Sequence, residues 1–292
     1  MEDVGFFSIG YGLPDYCEHW AKAVRKHYPK APILLWENSN NELKDVCEKY
    51  NIIHKQSPHN FIRIPKNKEE FFSKTSSINY YEEWYDYEGG EYYVRLENES
   101  DLDCFIKFFK EAANTLNTEW IVFLERDMFV RKKLRPIPNF EAHAGLTNVN
   151  EDVRPNYGYE EAVKKWLPKN TKENAVKGLG IYKRSVLKNI LDNLDIQNLK
   201  HIFNYSFYVD NDKSIRYLDT LMSFIISYAG YQIEDWNDLA EPIFDDDAIQ
   251  KYGIEAAIWH GIKPCFFDNS DCSCHRCINA RKTLLKGKLK GI

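Results

Sequence analysis

Long apolar runs are missing from this chain. Across 292 residues nothing approaches the roughly 20 consecutive apolar positions a bilayer-spanning helix needs, so no transmembrane segment is expected. The opening "MEDVGFFSIGYG" has no basic stretch followed by a long apolar one. No signal peptide is expected, and the protein is placed in the cytoplasm. A basic excess is missing as well. Lys and Arg total 39 against 44 Asp and Glu, for a net charge of -5 and a pI near 6.0. That balance argues against a general nucleic-acid binder. Paired C-x-x-C knuckles are absent, and the cysteine count of seven is odd. Cys17, Cys47 and Cys104 fall on apolar faces of predicted helices. They read as small buried hydrophobes in a reducing compartment, not as a disulfide frame. No internal repeat is found.

What is present is apolar and aromatic. Apolar residues make up 43%, enough to exclude a disordered chain, and the length allows a large core. Aromatics reach 15%; such rings can line a sugar or base groove, although most serve packing. "VGFFSIG" (4–10) reads as a buried strand. A helix follows in "PDYCEHWAKAVRKHY", with Tyr16, Trp20, Val24 and His27 on one stripe and Pro14 and Asp15 in the first turn. "APILLWEN" (31–38) is a second strand. "NELKDVCEKY" is a second helix through Leu43, Val46, Cys47 and Tyr50, and "IIHK" (52–55) a third strand. A β-α-β-α-β opening means a parallel sheet covered on both faces. An aromatic stretch over 80–93 surrounds Gly89 and Gly90. Then "DLDCFIKFFKEAANTL" carries a helical stripe through Leu102, Phe105, Ile106, Phe109, Ala112, Ala113 and Leu116, with Asp101 suited to its N-terminus.

The next strand, 119–124 within "TEWIVFLERDMFV", runs straight into Glu125 and Asp127. In an open parallel sheet, ligands sit beyond the carboxyl ends of the strands. Two carboxylates there suit a hard divalent cation, and an extended chain would turn Arg126 away from both. The plainer reading is a solvated turn pairing with Arg126 and Arg131. Further on, "AHAGLTNV" (142–149) reads as a strand. "NYGYEEAVKKWLPKNT" reads as a loop and short helix, and "GLGIYKRSVLKNILDNL" as a turn or strand into a helix. "IRYLDTLMSFIISYAG" is a helix stopped by Gly230, "YQIED" a short strand, and "AAIWHGIKPCFF" a last apolar segment.

The order of these motifs resembles the GT-A glycosyltransferases, most closely glycosyltransferase family 2, over roughly residues 4 to 264. "FFSIGYG" resembles the first strand, whose end lies by the nucleotide. "ILLWENSNN" resembles the second, whose terminal acid contacts base or ribose. "WIVFLERD" resembles the strand that ends in a D-x-D metal motif, with Glu for the first Asp. "GLGIYKRSVL" is similar to the segment bordering the acceptor site. "YLDTLMSFIISYAGYQI" resembles the segment with the catalytic base. "WHGIKP" resembles late segments whose His completes the metal shell. Two departures stand out. Leu218 precedes Asp219 where the family often has a second acid, and no Q-x-x-R-W follows, which argues against a processive synthase.

The resemblance implies an α/β GT-A fold, Rossmann-like, with a mixed, mainly parallel sheet flanked by helices. The catalytic domain spans 1–264, with a nucleotide-sugar half (1–130) and an acceptor half (131–264). It also implies metal-dependent transfer of a sugar from a nucleotide-diphosphate sugar to a hydroxyl on a glycan or glycoconjugate. Mn²⁺ or Mg²⁺ would be held by Asp127 directly, by Glu125 through water, and by His260, with contact to the ribose as the alternative for Glu125. Tyr11 would stack on the base, Glu37 meet base or ribose, and Lys263 meet a phosphate. Asp219 would be the general base, inverting the anomeric centre, with Asp210 and Asp212 as competitors. Each has a plainer reading. His260 and Tyr11 can simply pack, Lys263 can be solvated, Glu37 can cap the loop "NSNNELK", and Asp219 can be a favourable charge in a helix's first turn.

The tail, 265–292, stands outside the resemblance. Cys265, Cys272, Cys274 and Cys277 suit a structural zinc, against free thiols as the alternative. The basic "RKTLLKGKLKGI" suits weak contact with an anionic membrane or a nucleic acid, or a solvated, frayed end. Rival functions are weighed on the same residues. A sugar nucleotidyltransferase needs a basic Gly-rich loop after the first strand, and "SIGYGLPDY" has no Lys or Arg. A two-metal phosphohydrolase or nuclease needs more acids near residue 125. A non-catalytic carbohydrate-binding module on the same fold would keep sugar binding and lose the metal.

Overall fold

The computed structural model describes residues 3–10, 14–59, 96, 98–125, 128–147, 159–169, 171, 176–208, 218–240, 256–260 and 281. The first strands are apolar at every position because both their faces are covered. β1 (Val4–Gly10) and β2 (Ile33–Glu37) are buried throughout, and so is β4 (Trp120–Phe123). Alternate residues feed two different cores. Phe7, Ile9, Leu34, Trp36, Ile121 and Phe123 enter one; Val4, Phe6, Ile33, Leu35, Trp120 and Val122 enter the other. This is the continuous apolar pattern of a sheet sandwiched between helices.

With β3 (Ile53–Gln56), β6 (His143–Thr147), β7 (Val176–Lys183) and β8 (Ile233–Asp235), they form a seven-stranded sheet of order β3-β2-β1-β4-β7-β6-β8. Strands β3, β2, β1 and β4 run parallel; β7 is antiparallel to both neighbours, and β6 and β8 are parallel to each other. The carboxyl ends of β1, β2, β3 and β4 therefore share one edge.

On one face lies α1 (Pro14–His27), which buries Cys17, Trp20, Ala21 and Val24. The short α2 (Lys44–Lys49) packs Val46 and Cys47 beside it. The other face is covered by α3 (Glu99–Thr115), whose whole expected stripe is buried, together with Phe108. Phe7, Phe108, Phe109 and Phe123 meet there, edge-on in the Phe7–Phe123, Phe108–Phe109 and Phe108–Phe123 pairs with ring centroids 5.1 to 5.9 Å apart, and tilted in the Phe7–Phe108 pair at 5.3 Å. The N-cap of α3 is Asn98, whose side chain accepts the Asp101 N–H. Asp101 lies in the first turn of α3, as expected; its side chain is also buried and bound to His59 at 2.6 Å.

The second half adds α4 (Tyr159–Trp166), α5 (Arg184–Asp192), α6 (Ile196–Tyr208) and α7 (Leu218–Tyr228). The sequence pattern assigns no element to 196–208. The helix there places Leu199, Ile202 and Phe203 in the α3 core, and this tertiary partner supplies what its own periodicity does not. Gly230 ends α7 as expected. It takes a φ of +88, its N–H reaches Ser227, and the Tyr231 N–H reaches Ile226, satisfying the last carbonyls. Cys17, Cys47 and Cys104 are buried free thiols, as read.

Two-residue strands form a second sheet that no sequence pattern announces: β5 (Phe129–Val130), β10 (Ile258–Trp259) and β9 (Leu239–Ala240), in the order β5-β10-β9. Phe129 opposes Trp259, and the Arg131 guanidinium covers the Trp259 ring at 3.7 Å.

One glycine is indispensable to this frame. Gly180 in β7 has a φ of +65, and a Cβ there would lie 2.2 Å from the Ala144 carbonyl oxygen. It sits where the β6–β7 register shifts between Ala144 and Leu146. Gly180→Ala is expected to destabilise the protein by roughly 2–4 kcal/mol, read as a lower denaturant midpoint. An unchanged midpoint would show that β6 yields at that bulge.

Candidate active site

At the exit of β4, the Ser8 hydroxyl donates to the Leu124 carbonyl at 2.5 Å, and the Leu124 N–H reaches Phe7 at 2.9 Å. These bonds hold the chain against β1 up to the last buried residue, so that Glu125 emerges beyond the edge. Its side chain is 36% exposed. The small sheet then brings a distant segment alongside. β10 pairs with β5, just after the acid pair, and His260 follows its last residue, Trp259. The His260 Nε2 lies 3.4 Å from a Glu125 carboxylate oxygen. That is longer than a tight charge-assisted hydrogen bond of about 2.7–2.9 Å.

Asp219 enters from α7, which packs across β7 and β8. One of its carboxylate oxygens accepts the Thr220 N–H at 2.8 Å, and its carbonyl accepts the Ser223 hydroxyl. Burial first and the charge of Glu125 second push the Asp219 carboxyl up to about 6 from an ordinary 3.8; the Thr220 N–H and His260 pull it the other way. Glu125, Asp219 and His260, from three segments far apart in sequence, therefore share one electrostatic neighbourhood. An oxygen and an imidazole donor side by side suit Mn²⁺ better than Mg²⁺, which takes oxygen ligands. No cluster of three such donors occurs among the described residues, and Asp127, the expected direct ligand, lies outside them. So do Tyr11, Lys263, Asp210, Asp212, the aromatic stretch 80–93, and Cys265, Cys272, Cys274 and Cys277.

Glu37 serves the loop that follows it. Its carboxylate is fully buried. Oε1 accepts the Ser39 hydroxyl at 2.6 Å and the N–H groups of Glu42 and Leu43 at 2.7 and 3.3 Å, while Oε2 meets His54 Nε2 at 2.6 Å. This is the loop-capping alternative, not a carboxylate presented to base or ribose. Beside that loop, a polar cavity of about 560 Å³ opens at the carboxyl ends of β2 and β3, lined among others by Ser39, Asn40, Asn41, Gln56 and His59.

Two side chains near the site escape the sequence reading. Tyr182, in β7, is fully buried, and its hydroxyl is pushed well above its ordinary pKa by burial and then by the charges of Asp219 and Glu125. His143, its cross-strand partner, stacks on it with ring centroids 4.2 Å apart. Alternation marks both as inward-facing strand residues, but nothing in it distinguishes them from core.

No family model matches the chain, and no curated protein matches it in sequence. Solved structures do match. The galactosyltransferase LgtC, in complex with donor and acceptor sugar analogs, superposes with a TM-score of 0.51 at 11% identity, covering 96% of this chain and 94% of that one. An active-site mutant of LgtC superposes with a TM-score of 0.52 at 10% identity, over 97% and 95%. Neither likeness singles out family 2. Among the described residues no helix is long and apolar enough to cross a membrane. The chain thus has the GT-A α/β fold that its motif order implies, shared along nearly its whole length with LgtC.

Proposed function

We propose that this chain is a metal-dependent glycosyltransferase that moves a sugar from a nucleotide-diphosphate sugar to a hydroxyl acceptor. The observation that carries the reading is the convergence of Glu125, His260 and Asp219 beyond the carboxyl edge of the sheet. Glu125, His260 and Asp127 would hold a divalent cation. Such an ion supplies Lewis-acid stabilisation for the charge that grows on the diphosphate. Tyr11 is assigned to the base and Lys263 to a phosphate. The polar cavity beside β2 and β3, held open by the Glu37-capped loop, offers amide and hydroxyl groups to the nucleoside end. Asp219 takes the acceptor proton as the acceptor oxygen attacks C1 and the bond from C1 to the diphosphate oxygen breaks. A carboxyl titrating near 6 is ionised at neutral pH yet basic enough to accept that proton. Inversion at C1 follows from placing Asp219 opposite the leaving group, and the family 2 motif order supports it.

The test is a panel of UDP-, GDP-, dTDP- and CMP-sugars with Mn²⁺, read by thermal shift and slow donor hydrolysis. At least one donor is expected to raise the melting temperature and be hydrolysed. Binding without turnover would make the chain a carbohydrate-binding module. Silence towards every donor would overturn the reading.

A further inference from the structure

The His59–Asp101 pair stands on the wall of the polar cavity and has no part in the chemistry at Glu125. Most of the cavity's polar groups are spent on its own wall. The Ser39 hydroxyl donates to the Glu37 carboxylate at 2.6 Å, and the Ser57 hydroxyl to the His59 carbonyl at 2.6 Å. The Gln56 amide donates to the Glu37 and Ser39 carbonyls at 3.1 and 2.6 Å. Asn40 and Asn41 are exposed, and nothing anchors their side chains among the described residues. His59 alone among these lining groups is both anchored and open. Its Nε2 lies 2.6 Å from the Asp101 Oδ1, and the aspartate side chain is 0% exposed where that of His59 is 39% exposed. Asp101 is fixed in its turn, in the first turn of α3, where its N–H reaches the Asn98 side chain at 3.0 Å. The ring is therefore held on its buried side, and Nδ1 has no partner among the described residues. A buried carboxylate–imidazole pair adds little stability of its own, so tying a loop to α3 does not by itself account for an imidazole left open to a cavity. A carboxylate only accepts hydrogen bonds. The proton thus sits on Nε2, and the neutral ring presents Nδ1 as an acceptor.

We propose that His59 is a specificity-determining residue for the donor's nucleobase: held by Asp101, it offers Nδ1 to a ring N–H on the base edge, which uracil, thymine and guanine carry and cytosine and adenine lack. The proposal rests on the reading of this cavity as the nucleoside end. β3 and β4 are three strand spacings apart, about 14 Å, so a base at His59 and a diphosphate at Glu125 lie along one sheet edge. Cytosine would set the lone pair of its own ring nitrogen against that of Nδ1 and leave both unpaired. A site built for a hydrogen bond rejects the analogue that cannot make it. The unanchored amides of Asn40 and Asn41 adapt to whatever base enters, so they add contact without choosing. Asp101 is a positioning residue that acts through His59, by fixing which nitrogen carries the proton.

UDP and CDP are matched probes, because their bases differ only at ring positions 3 and 4. Titrated with Mn²⁺ into the full chain and followed by calorimetry, UDP should bind at least about 10-fold more tightly than CDP. His59→Gln keeps an amide N–H within reach of Asp101 and loses the ring acceptor. Its melting temperature should be nearly unchanged, and its preference for UDP should vanish. Asp101→Asn lets the new amide donate to Nε2, which moves the proton to Nδ1, so the preference should shrink or reverse. A role confined to the fold would weaken both nucleotides alike. Nitrogen-15 spectra of labelled histidine need no ligand: the ring signals lost in His59→Gln identify His59, and they should show a proton on Nε2 and none on Nδ1. A proton on Nδ1, CDP bound as tightly as UDP, or a preference for UDP that survives in His59→Gln overturns the proposal. So does binding of neither nucleotide. The glycosyltransferase reading falls with it only if no donor sugar is turned over either.

Discussion

Asp219→Asn is expected to lower sugar transfer about 10³-fold while making the metal-free protein more stable at neutral pH. The two effects have one cause. Asp219 is half-buried at the head of α7, and loss of hydration followed by the charge of Glu125 raises its carboxyl pKa from 3.8 to about 6. A raised carboxyl pKa means that the native chain holds the proton more tightly than the unfolded chain. This contribution is fully favourable below about 3.8 and is lost as pH rises towards about 6. A shift of that size costs at most about 3 kcal/mol at neutral pH. Asparagine carries no charge to desolvate, so the variant should gain stability above pH 6 and little below pH 4. Denaturant melts at both ends of that range measure the difference. Activity runs the other way, because a general base works ionised. The rate should climb with pH through a limb at or below about 6, since a cation bound at Glu125 removes the second cause of the shift. An asparagine variant with wild-type turnover would remove Asp219 from the chemistry. The acids at 210 and 212 would then be next to examine.

Chelation is the second large effect. EDTA is expected to abolish both transfer and donor hydrolysis, with activity restored by Mn²⁺ or Mg²⁺. Asp127→Ala should do the same with the fold intact. Glu125→Gln and His260→Ala should each raise the metal concentration needed for half-maximal rate at least about 100-fold, because losing even an outer partner of a metal site commonly costs about 10- to 100-fold. The Glu125–His260 separation of 3.4 Å leaves the pair loosely joined, and Glu125 is 36% exposed. Its replacement should therefore leave the melting temperature of the metal-free protein nearly unchanged. Undiminished rates in excess EDTA would sink the metal role.

Much of the frame was legible because it rests on local periodicity. Apolar runs at 4–10, 33–37 and 120–123 mark strands buried on both faces, and the stripe from Leu102 to Leu116 marks the helix that covers them. Elements that draw their stability from partners were not legible. The helix Ile196–Tyr208 is held by the α3 core, and the two-residue strands at Phe129, Leu239 and Ile258 hold only as a set. Asp101 stands in the first turn of α3 as its sequence position suggests, but that Asn98 caps the helix and that the Asp101 carboxylate is bound to His59 are visible only in the fold.

The site divides along the same line. Sequence alone placed Glu125 beyond a buried strand, Asp219 at the head of an apolar helix and His260 after a short apolar run, since each follows from the residues around it. Whether they meet depended on contacts between segments far apart in the chain. Pairing of β10 with β5 brings His260 to Glu125, and packing of α7 across β7 brings Asp219 into their field. Glu37 shows the limit most directly. Its position at the end of β2 suits either a ligand or a loop, and only the folded loop, with two N–H groups, a hydroxyl and an imidazole turned onto one carboxylate, assigns it to the loop. Tyr182 and His143 belong wholly to the tertiary structure, because the field of two carboxylates and a cross-strand stack exist only once the sheet has formed.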